Sequence, residues 1–104
     1  MNAQSDLEYE PLRFEDLFLA RCKLTRLTPT ETYISRQIIR NQTNAEIAKG
    51  MYRTVGTVKT HVRLILNKVS QADTSVLTRG DIARYLYWQP LEDQLVKREE
   101  AVCV

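Results

Sequence analysis

Residues 43 to 69, TNAEIAKGMYRTVGTVKTHVRLILNKV, contain the clearest helix signals of the chain. The first four residues of this stretch form a capping-box pattern, in which Thr43 accepts from the N3 amide and Glu46 accepts from the N-cap amide. Thr54 is placed to cap a second helix that runs to about Val69. The stretch therefore predicts a short helix, a tight turn and a longer helix.

The longer helix, residues 55 to 69, is predicted to have a core face and a polar face. At about 100 degrees per residue, the core stripe consists of Val58, Val62, Ile65, Leu66 and Val69. The opposite side carries Gly56, Thr60, Arg63 and Asn67. No acidic residue occurs between Ile47 and Ala72, whereas exposed helices commonly pair Glu with Lys. The polar face therefore suits a polyanion.

Two more helices are predicted upstream. Residues 11 to 24 read as an amphipathic helix whose apolar stripe is Phe14, Leu17, Phe18 and Cys22. Because two exposed phenylalanines would favour aggregation, we expect this stripe to dock on the chain's own fold, in the same or a neighbouring subunit. Thr28 as N-cap and Pro29 at the first helical position begin the next helix. Its buried face is predicted to hold Tyr33, Ile34 and Ile38, and Asn41 to follow it in a left-handed C-cap.

A last helix is predicted downstream. Residues 70 to 78 read as a polar connection, and Thr78 with Asp81 offers a capping box for a helix through about Trp88. Pro90 is expected to stop it, because proline has no amide hydrogen to donate.

Composition predicts an all-α protein, since the three glycines and three prolines are few for a β sandwich or barrel. No apolar run approaches the roughly 20 residues that span a bilayer, and the start is acidic where a secretory signal is basic. We therefore expect a cytoplasmic protein without a membrane partner. Cys22 and Cys103 lie near opposite ends and there is one histidine, so neither a metal site nor a disulfide is predicted. Without a phosphate-binding glycine loop or a nucleophile arrangement, neither an enzyme nor a cofactor is predicted.

Charge is unevenly divided along the chain. Residues 1 to 20 carry a net charge of −4, residues 21 to 88 carry +8 and residues 89 to 104 carry −2, although the total is only +2. A basic middle segment of this kind is consistent with a nucleic-acid partner. Chance clustering of solvated charge is the alternative.

Three segments in register resemble the LuxR-type (GerE-like) DNA-binding domain: LTPxE at residues 27 to 31, NxEIA at 44 to 48 and GTVKTHVRxILxK at 56 to 68. The resemblance runs from residue 27 to residue 69 without a gap. It implies a four-helix helix-turn-helix domain whose third helix lies in the major groove and whose last helix often serves in dimerisation. The chain departs from the family at Ser35 and Gln37, where leucine is preferred, at Asn41, where glycine is preferred, and in its longer connection 70 to 78.

On this reading the chain has three parts: an acidic N-terminal extension with an amphipathic helix (residues 1 to 26), a LuxR-type domain (27 to 89) and a short charged C-terminal tail (90 to 104). The resemblance implies base-reading positions at Lys59, Thr60 and Arg63. It places backbone-contacting or supporting positions at Thr54, Gly56, Thr57, His61, Asn67 and Lys68. His61 is equally a candidate for a purely structural histidine.

The last helix has more apolar surface than a small core needs, which predicts dimerisation through Ile82, Tyr85, Leu86 and Trp88. The alternative is that these residues complete the monomer's own core.

The sequence thus predicts a stand-alone bacterial transcription regulator that binds double-stranded DNA as a homodimer. Two alternatives stay open. One is a module like region 4 of alternative sigma factors, which has a similar helix-turn-helix. The other is a protein-binding antagonist that keeps the fold and engages another regulator or RNA polymerase, since fold does not guarantee function.

Overall fold

The computed structural model describes residues 14 to 93, which are all-α. The helices are α1 (Phe14–Leu24), α2 (Pro29–Ile39), α3 (Asn44–Met51), α4 (Val55–Ala72) and α5 (Arg79–Ala83). From α5 the chain continues through a π-helical turn, Arg84–Trp88, and stays helical to residue 93. Within this described part of the chain, no helix has both the length and the apolar character needed to cross a membrane.

The four predicted threonine N-caps are confirmed. Each N-cap threonine accepts from the N3 backbone amide, at Thr28, Thr43, Thr54 and Thr78. Reciprocal bonds complete three capping boxes, as when the Thr43 amide donates to Glu46 Oε1 at 2.8 Å. Asn41 has a φ of 64°, so the left-handed conformation expected after α2 is also confirmed. These interactions join residues a few positions apart. They fix where α2, α3, α4 and α5 begin and where α2 ends.

A single apolar core joins all the helices. The α4 stripe is confirmed, because Val58, Val62, Ile65 and Val69 are buried and Leu66 is half-buried against them. Around this stripe lie the buried residues Ile34, Ile38, Ile47, Ala48, Ile82 and Leu86. The side of α4 that faces away from the core is thereby left to solvent.

The prediction for α2 is partly wrong. Ile34 and Ile38 are buried as expected, but Tyr33 is 39% exposed. The buried face instead includes Glu31 and Ser35, which lie with Ile34 and Ile38 at helical spacing. Ser35 therefore occupies a core position, where the serine hydroxyl has no hydrogen-bond partner among the described residues.

The docking of α1 on the chain's own fold is confirmed. Phe18 and Cys22 are each only 3% exposed in the common core, and Leu17 is half-buried. Burial raises the pKa of the Cys22 thiol to about 11, so this cysteine is a protonated core residue. The Phe14 side chain, residues 11 to 13 and Cys103 lie outside what the structure describes.

The expectation that Pro90 ends the last helix is wrong, since residues 89 to 93 are helical and Pro90 is buried. A proline ring clashes with the carbonyl four residues earlier in a regular α-helix. Directly before Pro90 the helix widens into a π turn, in which the Gln89 amide donates to Arg84 O, five residues back. Arg21 of α1 donates to Tyr85 O at 3.4 Å and to Gln89 Oε1 at 3.1 Å. The wider turn and the α1 contact together accommodate the proline.

The connection after α4 is shorter than predicted, because α4 continues to Ala72. It is also partly apolar: Val76 is 1% exposed and lies in the core. Arg79 anchors the start of α5 by donating to Gln42 O and to Asn44 Oδ1 at the beginning of α3. The last helix is therefore fixed against the α2–α3 turn.

The predicted dimer residues have a different place in the structure. Ile82 and Leu86 are fully buried and Tyr85 is 7% exposed, all within the core of one chain. Trp88 remains 49% exposed and packs edge-on against Tyr87, with ring centroids 4.7 Å apart. The physical reason is that the segment Arg79–Ala83 packs on α2 and α4, while α1 packs on the π turn and adds Phe18 and Cys22 to the same cluster. The apolar surplus seen in the last helix is thus largely used within the chain.

We expect Leu86→Ala to lower the free energy of unfolding by about 2 to 5 kcal/mol, because it leaves a cavity in a fully buried site. Trp88→Ala, at a half-exposed site, is the control and should cost less. Urea unfolding followed by circular dichroism measures both. For a core within one chain, the midpoints should not vary with protein concentration. The opposite result is a wild-type midpoint that rises with protein concentration and a Leu86→Ala midpoint that does not. It would place Leu86 in an interface between chains.

Candidate nucleic-acid interface

The unit formed by α3, the turn and α4 presents four exposed basic side chains, Lys49, Arg53, Lys59 and Arg63. Tyr52 ends α3 with a left-handed φ of 57°, and the Arg53 amide donates to Ala48 O at 2.9 Å. Thr54 then caps α4 by accepting from the Thr57 amide at 3.2 Å. Since the chain passes from one helix to the next within three residues, the first turns of α4 are held rigidly beside α3.

The structure places the three predicted base-reading residues together on the outer side of α4. Lys59, Thr60 and Arg63 are all exposed. Spacings of three and four residues make Arg63 a surface neighbour of the other two. The Thr60 hydroxyl donates to Gly56 O at 3.1 Å, so its proton is already used within the helix.

The positive charge of this surface is uncompensated. Within residues 14 to 93, the side chains of Lys49, Arg53, Lys59 and Arg63 are exposed and form no ion pair. Ion-paired cations lie elsewhere: a carboxylate is within 4 Å of Arg21, Arg36, Lys68 and Arg84. Cations without internal partners are available to an external anion.

Gly56 is not required by the packing of the chain itself. A Cβ atom at this position would meet only Thr54 Oγ1, at 3.9 Å, so the space around it is open. Glycine inside a helix costs up to about 1 kcal/mol relative to alanine. An exposed glycine beside Lys59 and Thr60 lets a ligand approach the helix backbone closely.

The remaining predicted positions divide into exposed and partly buried groups. Thr54 and Asn67 are exposed, and Thr57 is half-buried with its Oγ1 3.0 Å from Thr54 Oγ1. His61 is half-buried, and its Nδ1 atom is buried without a hydrogen-bond partner among the described residues. His61 is therefore held against the protein rather than presented like Arg63.

Lys68 has a supporting position. Its Nζ donates to Glu31 Oε1 at 2.7 Å and to Arg26 O at 3.2 Å. The Glu31 side chain is only 5% exposed, and the same oxygen accepts from the Thr28 amide at 2.9 Å. Lys68 thus joins the C-terminal half of α4 to the beginning of α2. Sequence reasoning identified Lys68 but not this partner, because the two residues are 37 positions apart.

The pKa of Glu31 reflects this pairing. Desolvation by burial raises the pKa of Glu31, but the hydrogen bonds from Lys68 and Thr28 together lower it by more. The pKa therefore lies below its ordinary value of 4.5. The carboxylate is therefore charged at neutral pH, and it stabilises both the α2 N-terminus and α4.

A comparison with protein-family models, curated proteins and solved structures found no match. Within residues 14 to 93, no three side chains of His, Cys, Asp or Glu are grouped so as to hold a metal ion. Among the described residues, the exposed basic side chains of α3, the turn and α4 form the surface best suited to a ligand.

We expect the Glu31–Lys68 pair to make stability depend on acid pH. Because folding lowers the pKa of Glu31, this residue stabilises the fold above about pH 4.5, and the effect is lost as the pH falls through the lowered value. Glu31→Gln should reduce the free energy of unfolding at neutral pH. The free energy of unfolding, measured with urea, should also fall less steeply with decreasing pH than in the wild type. Lys68→Met should lower stability at neutral pH by about 1 to 3 kcal/mol, because it leaves a buried carboxylate unpaired. If both variants lost stability at acid pH as steeply as the wild type, the stabilising role of the Glu31–Lys68 pair would be contradicted.

Proposed function

We propose that the protein is a LuxR-type, sequence-specific DNA-binding transcriptional regulator, active in the bacterial cytoplasm, that inserts the N-terminal half of α4 into the major groove. In this proposal α2 to α5 form the four-helix domain, and α1 is an additional helix. One observation carries it: Lys59, Thr60 and Arg63 form an exposed, uncompensated polar surface opposite the buried stripe of α4.

The dimensions of α4 suit a major groove. An α-helix with its side chains is about 10 to 12 Å across, and the groove of B-form DNA is about 12 Å wide. Residues 59 to 63 rise about 6 Å along the helix axis, which corresponds to about two base pairs. A small set of side chains on α4 therefore suffices to read a short sequence.

The proposed contacts follow from the chemistry of each side chain. The Arg63 guanidinium matches O6 and N7 of guanine in a bidentate hydrogen bond. Thr60 contributes its methyl group, which suits contact with a thymine methyl, because its hydroxyl proton is bonded to Gly56 O. Lys59 contacts a base edge or a phosphate as a cation.

The homodimer stays a prediction. Of the four residues proposed for it, Trp88 retains a large exposed surface. Binding-site symmetry tests this directly, because a two-fold dimer reads an inverted repeat with half-sites about one helical turn, or roughly 34 Å, apart.

The decisive experiment is selection of duplexes from a random DNA library by the full chain, followed by sequencing. An enriched motif would support the proposal, and an inverted repeat would indicate the dimer. Absence of any binding to duplex DNA at low salt would contradict the proposal and favour the antagonist, which engages a protein instead.

We expect Arg63→Ala to lose about 1 to 3 kcal/mol on the selected site and to relax preference at one base position. Lys23→Ala is a matched control, because Lys23 is an exposed cation of α1 without an ion pair among the described residues, and it should bind like the wild type. Fluorescence anisotropy with the selected site and a scrambled duplex measures both. Equal weakening on the two duplexes would make Arg63 a phosphate contact instead.

A further inference from the structure

We infer that Lys49, Tyr52 and Arg53 bind the phosphate backbone of DNA at the edge of the groove that α4 enters. These three residues are here called the turn patch. This inference rests on the proposed function and adds a second contact of a different kind. The base-reading surface of α4 selects the sequence, whereas the turn patch supplies affinity without sequence preference.

The exposure of the turn patch is not explained by the fold. Tyr52 is 95% exposed, so its ring makes almost no contact within the described part of the chain. Its φ of 57° is uncommon for a residue with a side chain and directs the chain sharply into α4. Lys49 and Arg53 are exposed beside it, and neither forms an ion pair within residues 14 to 93.

The position of the turn patch matches a groove edge. Tyr52 and Arg53 directly precede Thr54, and the helix rises about 7 Å from Thr54 to Lys59 and about 14 Å to Arg63. The major groove is about 12 Å wide with phosphates along both edges. When residues 59 to 63 face the bases, the turn before α4 lies near one row of phosphates. In helix-turn-helix proteins generally, the helix before the recognition helix crosses the backbone.

The chemistry of the turn patch suits phosphate. Arg53 offers a guanidinium fork, Lys49 a point charge and Tyr52 a neutral O–H donor. Glu46 lies one turn before Lys49 on α3, but its carboxylate is turned to the start of that helix, where Oε1 accepts from the Thr43 amide at 2.8 Å. Within residues 14 to 93 it forms no ion pair with Lys49 or Arg53. The patch therefore keeps its positive charge for an external anion.

The salt dependence of binding tests the inference. Each neutralised phosphate contributes about −0.9 to the slope of log K against log salt. Lys49→Ala and Arg53→Ala should each reduce the slope magnitude by about 0.9, weaken the selected and scrambled duplexes equally, and leave the preferred sequence unchanged. Tyr52→Phe, which removes one uncharged donor, should weaken both duplexes about 2- to 10-fold without changing the slope. Lys23→Ala is the control and should leave the slope at its wild-type value.

The outcomes separate the two proposals. If the wild-type chain selects a DNA motif but the Lys49 and Arg53 variants keep its slope, the turn patch is refuted and the proposed function stands. If the wild-type chain binds no duplex DNA, the proposed function fails first. A preference for RNA over duplex DNA would also overturn the patch as a groove-edge contact. Circular dichroism melting should be unchanged in all four variants, since each side chain is exposed.

Discussion

The burial of Val58, Val62, Ile65 and Val69 sets the rotation of α4 about its own axis. Each such side chain gains about 1.5 to 3 kcal/mol on leaving water, so turning α4 by even one residue would forfeit several of these contributions. The polar side of the helix is consequently held in one direction. Lys59, Thr60 and Arg63 owe their common exposure to the buried residues on the opposite side of the helix.

Rotation alone does not hold a helix in place along its axis. Thr54 ends the turn from α3 and begins α4, while Lys68 joins the other half of the helix to Glu31 and to Arg26 O. One pairing is local and the other crosses the fold. A cation that resembles a DNA contact in the sequence thus stabilises the position of α4 within the fold.

The two ends of the described chain complete the domain together. Helix α1 contributes Phe18 and Cys22 to the core, and Arg21 donates to the π turn that precedes Pro90. Arg21 also lies over the Tyr85 ring at 4.5 Å. Helix α1 covers the π turn that holds Tyr85 and Leu86, whereas the preceding segment with Ile82 packs on α2 and α4, so these residues are buried within one chain.

The features that could be predicted from the amino-acid sequence are those that depend on local interactions. Each of these features depends on residues within a few positions of one another, so it can be predicted from the order of residues alone. They are the N-caps at Thr28, Thr43, Thr54 and Thr78, the left-handed Asn41 and the buried stripe of α4. Features that depend on packing between distant segments could not be predicted in this way. They are the exposure of Tyr33, the burial of the last helix against α1, α2 and α4, its continuation past Pro90 and the pairing of Lys68 with Glu31. No periodicity encodes which apolar stripe covers which, because that choice is made by the combined shape of all the helices.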